Sequence, residues 1–193
     1  MYYQILAAAP LLVIYGIYVL KLLHQKKRGI QTYQLMRGTK SKRVFYTELM
    51  MMLASVCTVV MEIVSIVDGS TYFSDCTRDF GVVLGLSGAL LFAIGVWAMR
   101  DSWRAGIPAD DQTELITGGI YRYSRNPAFV GISLTHIAIV LIFFNWPLLI
   151  CVIWALVMIH LLIIQEEIFL QTRFAASYAD YKSKVGRYFG RTA

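Results

Sequence analysis

Residues 128–164 read AFVGISLTHIAIVLIFFNWPLLICVIWALVMIHLLII, a stretch without a single lysine, arginine, aspartate or glutamate. Two apolar runs, 128–144 and 148–164, flank the triplet Asn145-Trp146-Pro147. At about 1.5 Å rise per residue, roughly twenty helical residues cross the ~30 Å hydrocarbon core of a bilayer. A helix satisfies its own backbone groups in lipid, so such runs are expected to be helical. The triplet leaves room only for a tight turn, which predicts an antiparallel hairpin. Each arm is slightly short for a full crossing, so the hairpin is expected to sit shallow.

Three further runs precede the hairpin, at 3–23, 47–67 and 80–99. Apolar residues make up 58% of the chain, more than the interior of a soluble 193-residue domain would hide. The alternating pattern of a membrane β-barrel is absent. The reading is all-α: an integral membrane bundle of five transmembrane helices, forming a single membrane domain over 1–193. Residues 1–99 are its three-span N-terminal part and 100–193 the remainder. The first run has no basic segment before it and is followed by Lys26, Lys27 and Arg28, so it reads as a retained span rather than a signal peptide. In span three, Gly81, Gly85 and Gly88 share roughly one face, where small residues admit a close neighbour helix. An intramolecular contact and a homodimer are both open to that face.

The net charge of +6 invites a nucleic-acid partner, but no basic stripe interleaved with aromatics would track a phosphate backbone. The charge lies between the apolar runs instead. Every lysine and arginine except Arg78 falls at the end of span one, in the two longer linkers, or beyond residue 164. Five spans put all of these on one face, which predicts an external N-terminus and a cytoplasmic C-terminus. Cys57 and Cys151 lie in apolar runs and Cys76 in a short polar loop, with no pairing framework. His136 and His160 have no acidic or cysteine companions at ligand spacing, so they read as hydrogen-bonded packing and no metal is expected. Glu62 lies inside span two near its outer end. It is expected to snorkel toward Asp68, with a substrate or partner role left open.

The polar segment 100–127 and the chain after residue 164 meet on the basic face. Leu170, Phe174, Tyr178 and Tyr181 recur at helical spacing, and 185–193 reads as a loose basic tail. Glu166 and Glu167 close the fifth span, about 100° apart around a helix, so that one can face the bundle and the other water. Arg125 is their natural complement, because a guanidinium grips a carboxylate with two bonds.

Thr113-Glu-Leu-Ile-Thr117-Gly118-Gly119-Ile-Tyr121-Arg-Tyr-Ser-Arg125-Asn126-Pro127-Ala-Phe129-Val-Gly131 resembles the signature L-x-T-x-G-x-Y-x-x-x-R-[HN]-P-x-Y-x-G. That signature belongs to the isoprenylcysteine carboxyl methyltransferase and phospholipid methyltransferase superfamily. Glu166-Glu167, Phe174, Tyr178, Tyr181 and Arg187 are similar to the family's second motif, E-E-x-x-L followed by F-G-x-x-Y-x-x-Y and a basic residue. Ser102 to Ile107 looks like the segment that precedes the signature in bacterial members, which suggests a bacterial inner membrane. The resemblance implies an S-adenosylmethionine-dependent methyltransferase acting on a lipophilic small molecule or lipid-modified substrate drawn from the membrane lipid. Its cofactor pocket would lie between the span 3–4 loop and the C-terminal helix. Carried over by position, Leu115, Thr117, Gly118, Tyr121, Asn126 and Pro127 would shape the cofactor pocket, and Glu166 or Glu167 would hold the cofactor's polar groups. Arg125 and Glu167 would be the catalytic pair, with Trp103, Arg104 and Phe129 on the substrate side.

Two departures matter. Asn126 stands where the better-known carboxyl methyltransferases have histidine, and it cannot act as a base near neutral pH. Phe129 stands where tyrosine is usual and lacks its hydroxyl. Both weaken the case for a prenylated cysteine carboxylate as acceptor. Two other classes compete: an NADPH-dependent membrane reductase similar to the sterol reductases, and a non-enzymatic membrane partner protein.

Overall fold

The computed structural model describes residues 1–107 and 114–191. Pro108 and Thr113 lie outside the described residues. Five helices run in the order α1 (Tyr2–Lys27), α2 (Lys42–Asp68), α3 (Asp75–Ala98), α4 (Pro127–Ile142) and α5 (Trp146–Lys184), with no strand among the described residues. The bundle is that of a multi-pass membrane protein. Four of the helices are long and apolar enough to cross a membrane. The exception is α4, whose 16 residues extend only about 24 Å.

Local chemistry sets the helix ends. Ser41 caps α2 by accepting from the Val44 N–H, and Gly69 ends it in the left-handed conformation. Asn145 caps α5 through its side chain, which accepts from the Leu148 N–H at 2.9 Å, and Pro147 sits in the first helical turn. That cap makes the turn after α4 as tight as the triplet predicts. The polar residues after 164 do not end α5. It runs on for 39 residues in all, with one break in backbone geometry at Ala175.

Packing follows the small residues. The α3 face carrying Gly81, Gly85 and Gly88 lies against α4 of the same chain. A Cβ at Gly88 would stand 2.6 Å from the Gly131 carbonyl oxygen, so the two backbones touch where both lack side chains. This face is therefore filled within the monomer. α1 lies along another side of α3, and α5 packs mainly on α2, where the Thr58 hydroxyl donates to the Cys151 carbonyl at 3.0 Å.

At the end of the bundle where α3 finishes and α4 begins, the linker between α1 and α2 is folded over the site. It pairs with the chain after α3: the Gln34 N–H donates to the Ala105 carbonyl at 2.8 Å and the Ala105 N–H to Thr32 at 2.9 Å. Glu48, fully buried, fastens this layer. Its carboxylate accepts from Lys40 Nζ at 2.7 Å and from the backbone N–H groups of Met36 and Ile107 at 2.7 and 3.0 Å.

Glu62 does not snorkel. It is fully buried, and His136 Nδ1 lies 2.6 Å from its Oε1. A carboxyl hydrogen-bonded to a partner on α4 has no need to reach the interface.

Candidate active site

The loop between α3 and α4 and the C-terminal part of α5 form one wall of a site through backbone and aromatic contacts. Tyr121, Tyr178, Tyr181 and Val185 are buried together, with Leu115 and Phe174 packed against them. The Tyr181 hydroxyl donates to the Tyr121 carbonyl at 2.7 Å, and the Tyr121 hydroxyl reaches the Gly95 carbonyl of α3 at 3.4 Å. Burial pushes the Tyr121, Tyr178 and Tyr181 hydroxyls upward, Tyr178 to about 12, so all three stay protonated donors. Pro127 opens α4 without needing a hydrogen bond for its nitrogen.

Residues 185–191 are not a loose tail. The Arg125 N–H donates to the Gly186 carbonyl at 3.1 Å, the Gly190 N–H to Tyr123 at 3.0 Å, and Asn126 Nδ2 to the Arg187 carbonyl at 3.2 Å. Backbone pairing, which composition does not reveal, therefore ties 185–191 beneath the loop.

Glu167 sits at the centre of a charge cluster. Arg125 donates to its Oε1 from Nε at 3.2 Å and Nη2 at 2.8 Å, while Arg187 donates to Oε1 from Nε at 3.1 Å and to Oε2 from Nη2 at 2.9 Å. The remaining Arg125 nitrogen, Nη1, donates to the carbonyls of Lys182 and Val185. Burial opposes the charged form of Glu167, but the bonds from Arg187 and Arg125 outweigh it and hold the carboxyl below its usual range. The pair expected at the chemistry is thus already satisfied, and it joins loop to helix.

Glu166, one residue earlier, points elsewhere. It lies beyond the apolar run that ends at residue 164, has no hydrogen-bond partner among the described residues, and lines a cavity of about 390 Å³. Burial first, then the charges of Glu48 and Glu167, push its carboxyl up to about 8. Tyr178 lines the same cavity, and its buried hydroxyl has no partner. Arg125 and Asn126 complete this polar end.

The structure brings Leu115, Tyr121, Arg125, Asn126 and Glu166 to the cavity, together with Trp103, Arg104 and Phe129. Trp103 is buried and meets Tyr18 edge-on at 5.5 Å between ring centres. Thr117 and Gly118 instead border a more open basin of about 1220 Å³ outside it, and Leu115 touches both spaces. Pro127 and Glu167 are not among the residues that line the cavity. From Arg125 and Tyr178 the cavity runs inward to Leu11, Ile14 and His136 on the membrane-spanning helices. Reading the sequence missed Glu48 and left Arg187 and Tyr178 without roles. Glu48 stands alone as an acid beside a basic linker, a signal that could have found it. Nothing local marks the pairing of Arg187 with Glu167.

The partnerless carboxyl of Glu166 and hydroxyl of Tyr178 fit the polar substituents of S-adenosylmethionine, and the aromatic walls fit its sulfonium. The model of the phospholipid methyltransferase family matches residues 78–177, just over half of the chain. That match begins in α3 and runs through the loop, α4 and most of α5. No curated protein matches the chain.

Proposed function

Since the chain belongs to the phospholipid methyltransferase family, we propose that this membrane methyltransferase uses S-adenosylmethionine and acts on a lipophilic acceptor drawn from the bilayer. One observation carries the reading: a single cavity has a polar end with two unpartnered polar groups and an apolar end among membrane helices. A polar donor and an apolar acceptor can meet there without either crossing the wrong medium.

When bound, the cofactor would supply an electrophilic methyl group on a cationic sulfur. Glu166 would accept hydrogen bonds from its hydroxyl or amino groups, and Tyr178 would donate from its protonated hydroxyl. Tyr121, buried and tied to Gly95, fixes the wall against which the pocket closes. Arg125, Glu167 and Arg187 act as positioning residues, because their bonds hold the loop and the 185–191 segment in register. Alignment of donor and acceptor is the main contribution a protein makes to in-line transfer, and a dry cavity protects the reacting centre. Glu166, whose raised pKa keeps its carboxyl protonated near neutrality, would accept through its carbonyl oxygen and donate through its hydroxyl.

The placement of basic residues argues for an external N-terminus and a cytoplasmic site, and the likeness of Ser102 to Ile107 to bacterial members argues for a bacterial inner membrane. The test is calorimetric titration of S-adenosylhomocysteine into detergent-purified protein, beside NADPH and a Glu166→Ala variant. Micromolar binding of the homocysteine product, weakened at least tenfold in the variant, is expected. Binding of NADPH alone would overturn the proposal in favour of a reductase.

A further inference from the structure

The cavity is polar where Glu166 and Tyr178 line it. Its inner end carries polar chemistry too. His136 lines the cavity and is buried, with Nδ1 2.6 Å from Glu62 Oε1. The second carboxylate oxygen, Glu62 Oε2, is buried and has no hydrogen-bond partner. His136 makes no other hydrogen bond among the described residues, so Nε2 is the ring nitrogen left for a ligand. Two polar side chains inside a membrane bundle are expensive, and such residues commonly mark binding sites or pathways.

A helix–helix fastener alone would explain the bond between α2 and α4. It would not explain why His136 also lines the cavity with its second ring nitrogen unused. From these observations we infer that His136, backed by Glu62, forms a second polar subsite that hydrogen-bonds a hydroxyl group at the far end of the acceptor. The inference rests on the reading of this cavity as the acceptor site. His136 stands ten residues into the membrane from Asn126, about 15 Å along α4. A cavity of about 390 Å³ is near the small end of ligand pockets. The acceptor class is therefore an elongated apolar molecule with polar groups at both ends, such as an isoprenoid or long-chain alcohol hydroxylated at its far end. With Nδ1–H donating to Glu62, Nε2 accepts the ligand's hydroxyl proton, and Glu62 sets that tautomer.

The test compares dodecane-1,12-diol with dodecan-1-ol, probes that differ by one terminal hydroxyl and have a similar reach. Binding is read by the fluorescence of Trp103, which lines the cavity, with Trp103→Phe protein to isolate its signal. Partition into detergent favours the mono-alcohol, so non-specific uptake would show the opposite order to the one expected. Wild-type protein is expected to bind the diol about tenfold more tightly. His136→Phe is expected to abolish that preference while S-adenosylhomocysteine binding stays unchanged; His136→Gln, which keeps a polar group against Glu62, guards against misfolding and is expected to reduce the preference. Equal or weaker binding of the diol by wild type, or a preference that survives in both variants, overturns the inference. Failure of the homocysteine titration with the diol preference intact would overturn the donor assignment and leave the subsite standing.

Discussion

Replacing Glu167 by glutamine should cost about 3 kcal/mol of stability, more than any single surface ion pair would account for. Glu167 and Arg125 are nearly sealed from solvent, at 6% and 8% side-chain exposure, while Arg187 is 34% exposed. Removing one partner of a buried pair costs roughly 3–5 kcal/mol, because the other charge is left uncompensated. Glutamine keeps one oxygen to accept a bond, which places the expectation at the lower end. Arg187→Ala leaves the Arg125 pair intact and removes a group that water already screens, so about 1 kcal/mol is expected. In the double variant one unpaired guanidinium disappears with Arg187. Its loss should then be about 3 kcal/mol, short of the ~4 kcal/mol sum. The assay is equilibrium unfolding in mixed micelles, followed by circular dichroism across a dodecyl sulfate titration. Trypsin cleavage at Lys184 and Arg187 reports release of the segment those bonds hold. A Glu167→Gln protein within about 0.5 kcal/mol of wild type, with unchanged cleavage, would refute the clamp.

Three other perturbations test separate parts of the structure. Gly88→Ala drives a Cβ to 2.6 Å from the Gly131 carbonyl and should lower stability by about 1–3 kcal/mol, whereas Gly16→Ala, with nothing within 4 Å, should change the thermal midpoint little. Glu166 binds its proton more tightly in the folded protein than unfolded, since its pKa rises from 4.5 to about 8. Stability should therefore fall as pH rises through that window, and Glu166→Gln should remove this part of the slope in unfolding midpoints measured from pH 5 to 8. Tyr178→Phe deletes a hydroxyl that has no partner among the described residues, so it should leave unfolding unchanged and weaken S-adenosylhomocysteine binding about fivefold by calorimetry.

The apolar runs made the membrane helices legible because lipid demands them, and two ordered motifs made the family legible. Packing partners were harder to read. A tight turn guarantees that α4 and α5 are connected, yet backbone contact at Gly88 and Gly131 decides that α4 lies on α3. The carboxylate pair was found, but its division of labour was not. Which of two adjacent glutamates meets arginine depends on the rotation of α5 and on a chain segment twenty residues further along. Segment 185–191 carries no periodicity at all, since its order comes from backbone bonds to Tyr123 and Arg125. Glu62 and His136 are 74 positions apart, and their bond has no local trace.

The shortness of α4 ties these observations to function. With 16 residues it cannot match the reach of α3, so one of its ends must fall inside the bundle's length. Glycine contacts fix which end. Ala128 backbone lies against Gly95, within a turn of the end of α3, and the Tyr121 hydroxyl reaches the same Gly95 carbonyl. The start of α4, with Arg125 and Asn126 just before it, is thereby level with the end of α3, and it is the far end of α4, where Ile142 meets Gly81, that falls short. α5 continues past residue 164, so that Glu166 and Tyr178 reach the same cavity as Arg125 and Asn126. A longer α4 would lift the polar groups away from the apolar cavity, and a shorter α5 would leave them without a second wall. Lengthening α4 by one turn is therefore expected to separate donor binding from acceptor binding rather than to unfold the bundle.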